Sequence, residues 1–152
     1  MFATELPADD HRAAQEVLSQ VNQWNRPPGR YYDTAEATQI DHPLLKGCAR
    51  AFFIRIPSGE RVYRHRDPPE VTEHFDTDHI VVSTNDRSFI CWEENGTDRS
   101  VHLELGKRYR IIDRGLLHWA VNDGETDRIH LLIEYPKESA AGIVRALSGR
   151  RS

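Results

Sequence analysis

Two periodicities divide the chain. Between residues 8 and 25 the apolar side chains of Ala13, Ala14, Val17, Leu18, Val21 and Trp24 recur at the three-and-four spacing of one helical face, with Asp9 or Asp10 placed to cap the first turn. Arg26-Pro27-Pro28-Gly29 stops that helix, and the stretch to about Pro43 has no clear period, with a short strand expected at Arg30 to Asp33. From residue 49 to 136 the pattern changes to short β-type runs: AFFIRI, RVYRHRD, HIVVST, SFICWEE, SVHLEL, RYRIID, LLHWAV and RIHLLIEY. Turn chemistry stands between them, at Pro57-Ser58-Gly59, Asn85-Asp86, Asn95-Gly96, Gly106-Lys107 and Asn122-Asp123-Gly124. Strands at this spacing with no helices between them predict a mainly β fold, a double-stranded β-helix (jelly roll, cupin-like) behind an N-terminal helix. Residues 138 to 148 read as a short amphipathic C-terminal helix lying across one sheet.

Composition narrows the function. The chain has 152 residues, 38% hydrophobic and 29% charged, which suits one domain spanning 1–152 with a single core. Net charge is −4, and acidic and basic residues alternate without a basic block, so nucleic acid and anionic membrane are not expected partners. The start MFATELPADD lacks the basic-then-apolar order of a signal peptide, and no apolar run approaches the ~20 residues of a membrane span. A cytoplasmic location is expected. Cys48 and Cys91 lack CxxC spacing and read as small buried apolar residues rather than a disulfide or thiolate site. Histidine is abundant instead: there are eight, and His65, His79, His102, His118 and His130 all fall in strand-like segments.

His65 and Asp67 are two apart, so in a strand they project to one face and can grip one ion together. His118 lies 53 residues later, on a face shared with Ala120 and Asn122, and a jelly roll brings the second and seventh strands side by side. Two imidazoles and one carboxylate form the facial set that holds non-haem Fe(II) with open positions, although such ligands also suit Mn(II) or Zn(II). A His-x-Asp pair also arises by chance, and such histidines are often ordinary hydrogen-bonded residues. Arg128 adds weight: it shares a strand face with His130 and Leu132, and an arginine on an apolar face needs an anion. Its planar fork can hold a carboxylate such as the distal one of 2-oxoglutarate, unless it pairs on the surface with Glu134, Asp123 or Asp127.

The text PSGERVYRHRD, DHIVVST and LGKRYRIIDRGLLHWAVNDGETDRIHLLIEY resembles the aspartyl/asparaginyl β-hydroxylase family of 2-oxoglutarate oxygenases, which includes bacterial proline hydroxylases. The resemblance runs from Phe52 to Tyr135. It implies that His65 and His118 bind iron, that Arg128 binds the distal carboxylate of the cosubstrate and that His79 lies beside it. Asp67 agrees with bacterial members that keep the full triad, whereas the animal enzyme has glycine there. Family members often carry an arginine two residues before the histidine matching His79, where this chain has Thr77. Arg66 and Arg87 are the candidates to replace that contact.

The expected activity is therefore an oxygenase reaction using Fe(II), 2-oxoglutarate and O2 to hydroxylate a C–H bond of a small amino-acid-like molecule or conjugate, with release of succinate and CO2. His65, Asp67 and His118 are the catalytic and metal residues, and Arg128 and His79 the cosubstrate residues. Arg55, Arg66, His102, Trp92 and Glu93 are candidates for the substrate rim. Two other classes fit the same pattern. One is a cupin-type metalloenzyme, either an isomerase or a cosubstrate-free dioxygenase, in which Arg128 holds a substrate anion. The other is a non-catalytic jelly-roll binding module. Oligomeric state is not readable from the sequence.

Overall fold

A computed structural model describes residues 2–137. The C-terminal helix expected at 138–148 lies outside the described residues. Among the described residues ten strands form two antiparallel sheets. The larger contains β1 (Ala3–Leu6), β2 (Asp33–Glu36), β3 (Arg50–Ile56), β5 (Phe75–Ser83), β8 (Arg108–Ile111) and β10 (Arg128–Pro136), in the order β1-β8-β5-β10-β3-β2. The smaller contains β4 (Arg61–His65), β6 (Ser88–Glu94), β7 (Thr97–Val101) and β9 (His118–Asn122), in the order β4-β9-β6-β7. This is the double-stranded β-helix expected from the strand pattern, and each of the eight runs named above carries one of its strands. Asn95 and Gly96 both take positive φ, 52° and 77°, the primed two-residue turn that joins β6 to β7.

Alternation along the strands sorts the side chains into two layers. On the outer face of the larger sheet, Phe53, Ile80, Val82, Leu131 and Ile133 pack against Ala14 and Val17 of α1 (His11–Ser19). Between the sheets, Phe2, Val81, Ile90, Trp92, Tyr109 and Ile111 form a second apolar cluster. The helix is shorter than the periodicity predicts: Val21 and Trp24 pack on the outer cluster from the connection that follows it. Asp10 is the residue at the N-cap, but its side chain makes no capping bond. It accepts a hydrogen bond from Arg108 at 2.9 Å instead, and Arg108 also binds the fully buried Asp78 and the Tyr135 hydroxyl. The helix start is thus pinned to the sheet by an ion pair.

Beyond the shortened helix, other elements differ from the sequence expectation. The second strand lies at Asp33–Glu36 rather than Arg30 to Asp33, because its hydrogen bonds come from β3, with Asp33 opposite Arg55. Strand β1 was not anticipated, since ATEL has no alternating apolar pattern and its pairing depends on the distant β8. A single helical turn, α2 (Pro69–Thr72), follows Pro68, with proline at a first-turn position where its missing N–H costs nothing. Cys91 is buried as expected, while Cys48 is only half-buried.

The β9–β10 turn is held by the buried Asn122. Its Nδ2 donates to the Ile56 and Thr126 carbonyls, each at 2.8 Å, and its Oδ1 accepts from Asn85, Ser88 and the Gly124 amide. A Cβ at Gly124 would overlap the Asn85 amide, so the glycine is required by the close approach. This network ties the strand carrying His118 to the strand carrying Arg128. Replacing Asn122 by Ala strands several buried partners at about 1–3 kcal/mol each. We expect Asn122→Ala to lower unfolding free energy by about 3 kcal/mol or more, read from the urea midpoint with unchanged slope.

Candidate functional site

His65 ends β4 and stands directly opposite His118, the first residue of β9, across an irregularity in the β4–β9 pairing. Their rings lie 4.3 Å apart. Asp67 follows two residues beyond the end of β4, where its own amide donates to the Arg114 carbonyl at 3.0 Å, so extended chain rather than the strand itself carries the same-face geometry. The Asp67 carboxylate lies 3.5 Å from His65 Nε2 and 3.6 Å from His118 Nε2, and one ligand atom from each of the three residues falls within 4.8 Å of the others.

The backbone fixes how these rings can act. His65 Nδ1 donates to the Tyr63 carbonyl and His118 Nδ1 to the Leu116 carbonyl, both at 2.7 Å. A carbonyl only accepts, so Nδ1 carries the hydrogen and Nε2 is the nitrogen left to bind a metal. Burial, reinforced by His65 nearby, lowers the His118 pKa and keeps its ring neutral near pH 7. Burial opposes the charged form of Asp67, but His65, His118 and Arg114 outweigh it and hold the carboxyl below its usual range. Asp67 is oriented by Arg114, which donates to Oδ2 at 3.3 Å and to the Phe75 carbonyl at 2.7 Å. The donor set, one carboxylate oxygen and two imidazole Nε2 atoms on one side, suits a divalent metal with open positions.

The three residues line one end of a cavity of about 290 Å³ between the sheets. Arg128 lines the same cavity from β10, with 3% of its surface exposed. Among the described residues no carboxylate or other acceptor bonds to its guanidinium. Of the partners weighed from the sequence, Glu134 is paired with Arg50, and neither Asp123 nor Asp127 bonds to Arg128 among the described residues. Burial without an anion pushes the Arg128 pKa down to about 9, which leaves it charged at neutral pH and in need of a counter-ion.

His79, on β5, also lines the cavity, and its Nδ1 lies 3.0 Å from Nδ1 of the buried His130. Burial pushes His79 down to about 3, with Arg128, His118 and Arg114 acting in the same direction, and burial drives His130 well below its usual value. Both rings are neutral.

Thr77 occupies the position where an arginine was missed. It is buried and lines the cavity, and its hydroxyl has no hydrogen-bond partner among the described residues. Neither Arg66 nor Arg87 reaches the cavity: both are exposed, and Arg66 donates to the Gly115 carbonyl. The cavity cation near Thr77 is Arg114, bonded to the carbonyl two residues before it. The proposed rim residues also lie off the cavity. Arg55 points outward to Asp33, Glu93 lies near Arg64, His102 bonds the Ser88 carbonyl, and Trp92 stacks behind Phe2. Sequence reasoning missed Phe2, whose ring packs 5.1 Å from His118, and Arg114, which no pattern marks because it sits in a loop.

The sequence pattern of the family described as aspartyl/asparaginyl β-hydroxylase matches residues 33–137, more than half of the chain. The chain belongs to the aspartyl/asparaginyl β-hydroxylase family. Its fold is similar to that of a 2OG-Fe(II) oxygenase family oxidoreductase from Burkholderia pseudomallei, with TM-score 0.71 and 10% identity over 91% of this chain and 85% of that one. It is also similar to HygX from Streptomyces hygroscopicus, solved with nickel, 2-oxoglutarate and hygromycin B bound, with TM-score 0.63 and 10% identity over 90% of this chain and 82% of that one. A Pseudomonas putida prolyl-4-hydroxylase gives TM-score 0.59 and 15% identity over 90% and 91%. At these identities the likeness is one of fold. No curated protein matches the chain. No helix among the described residues of this β-hydroxylase family member is long and apolar enough to cross a membrane.

The neutral burial of His79 and His130 makes stability depend on pH. The unfolded rings take up protons near their ordinary value of 6.5, whereas folded His79 stays neutral down to about 3. The folded pKa is the lower one, so stability falls as pH drops below about 6.5, by up to about 1.4 kcal/mol per pH unit for each ring. Denaturant unfolding of metal-free protein at pH 7, 6 and 5 should show this decline, and His79→Asn should flatten it. A wild-type protein equally stable at pH 7 and pH 5 would contradict the neutral pair.

Proposed function

We propose that this protein is an Fe(II)- and 2-oxoglutarate-dependent hydroxylase acting on a C–H bond of a small amino-acid-like molecule or conjugate. The observation that carries the reading is one cavity holding both a His-Asp-His set with free Nε2 atoms and a buried arginine without an anion. His65, Asp67 and His118 are the residues that would hold the metal. When bound, Fe(II) with 2-oxoglutarate and O2 supplies the oxidation that turns C–H into C–OH, while the cosubstrate leaves as succinate and CO2.

The remaining roles belong to the chain. Arg128 receives the distal carboxylate in a two-point, charge-assisted grip, which relieves the cost of its own burial. His79 presents a neutral ring to the cavity and adds a hydrogen bond without a competing charge. Arg114 positions Asp67 so that one carboxylate oxygen is free for the metal while the other is occupied. Phe2, Ile90, Ile111 and Leu132 make apolar walls that exclude water from the reacting centre.

Anaerobic titration with Fe(II), followed by 2-oxoglutarate and absorbance of the metal-to-ligand charge-transfer band, tests the reading. His118→Ala should abolish the band, and a band equal to wild type would remove the metal assignment. Arg128→Lys keeps charge but loses the planar fork, so 2-oxoglutarate affinity should fall about tenfold or more with metal affinity little changed. Arg114→Ala should weaken metal binding about 10- to 100-fold without touching a ligand.

A further inference from the structure

Strand β10 runs the length of the cavity. Arg128 lies at one end and Glu134 at the other, six residues and roughly 20 Å apart along the strand. The register sets four side chains in one row across the inner face of the larger sheet: Arg50 opposite Glu134, Glu134 opposite Thr77, and Thr77 opposite Ile111. All four line the cavity.

Two of these groups are under-partnered: Glu134 has a single long ion pair, and the Thr77 hydroxyl has no hydrogen bond among the described residues. The Glu134 side chain is 14% exposed, makes no hydrogen bond among the described residues, and forms one long ion pair, with Arg50 at 3.9 Å. Arg50 is committed elsewhere, donating twice to Glu36 at 2.8 and 3.1 Å while lying over the Phe52 ring. Beside Glu134, the Thr77 hydroxyl is buried, with 3% of the residue exposed and no hydrogen-bond partner among the described residues. A carboxylate with one long ion pair and a hydroxyl with no bond, both lining one cavity, can take a further hydrogen-bond donor, and beside a carboxylate the donor that gains most is a cation.

We propose that Glu134 and Thr77 form a subsite for a protonated amine, so that the substrate carries an ammonium group. The subsite lies at the end of β10 away from Arg128, where the lining cations Arg50 and Arg114 are engaged by Glu36 and by Asp67 and the Phe75 carbonyl, which leaves Glu134 to set the charge preference there. The cosubstrate anion takes the Arg128 end and the substrate ammonium the Glu134 end, with the His-Asp-His set on the facing sheet. This rests on the hydroxylase reading for the name substrate, but the amine preference itself is a property of the cavity.

The test is calorimetric titration of the full chain, without oxygen and with Fe(II) and 2-oxoglutarate present. The probes are leucine, asparagine and proline, each against its N-acetyl form, and n-butylamine against n-butyrate. At least one free amine should bind about tenfold or more tighter than its acetylated or carboxylate counterpart. Glu134→Gln should erase that difference. Thr77→Val, which keeps shape and removes only the hydroxyl, should reduce it, and this variant decides the matter if Glu134→Gln loses its native circular dichroism. Acetylated probes binding as well as amines, a preference that survives the variants, or no amine bound at all would each overturn the subsite. Failure of 2-oxoglutarate itself to bind the wild-type Fe(II) protein is read from the same titrations and counts against the hydroxylase reading instead.

Discussion

The structure turns on one constraint: β10 is hydrogen-bonded along both edges, to β3 and to β5, and a strand held on two sides cannot slip. Its odd residues Ile129, Leu131 and Ile133 belong to the core under α1, so its even residues Arg128, His130, Leu132 and Glu134 must face the other sheet. Burying the aliphatic half fixes the polar half. A one-residue shift would put an arginine and a glutamate under the helix and three aliphatic side chains into the cavity. The ordinary hydrophobic core thereby keeps a charged row in place that has little stability to offer by itself.

The facing wall is fixed differently. Strand β9 meets β4 on one side and β6 on the other, but the ligand-like groups sit at its margin, where β4 has ended and the chain runs on through Asp67. There the backbone does the positioning, through the carbonyls of Tyr63 and Leu116 for the rings and the Arg114 carbonyl for the Asp67 amide. The Arg114 side chain then binds the carboxylate. One wall is rigid through packing and the other through hydrogen bonds at strand ends, which leaves the second better able to adjust around an ion.

Period-two alternation made much of this visible in the sequence. It marked the eight core strands, put His65 and Asp67 together, set His118 apart from Trp119, and aligned Arg128 with His130 and Leu132. Carried one step further, the same alternation reaches Glu134, so that residue was legible. It also explains why Arg55 lies off the cavity: Ile54 faces inward, so its neighbour faces out to Asp33. What could not be read were groups placed by closure of the chain in space. Arg114 reaches Asp67 from a loop, Phe2 reaches His118 from the residue just before the edge strand β1, and Asp10 at the helix N-cap turns to Arg108.

The contact between His79 and His130 has a further physical consequence. Two neutral imidazoles joined through their Nδ1 atoms share a single hydrogen, so one ring is the donor and the other the acceptor. The acceptor ring, with its lone pair on Nδ1, must carry its own hydrogen on Nε2. The two outer nitrogens therefore always differ in sense, one bearing hydrogen and the other a lone pair. His79 borders the large cavity and His130 a small recess beside Ser88 and Leu103. A molecule that fixes the tautomer on one side of the sheet's inner surface thus dictates the tautomer on the other, without any atom heavier than hydrogen changing place.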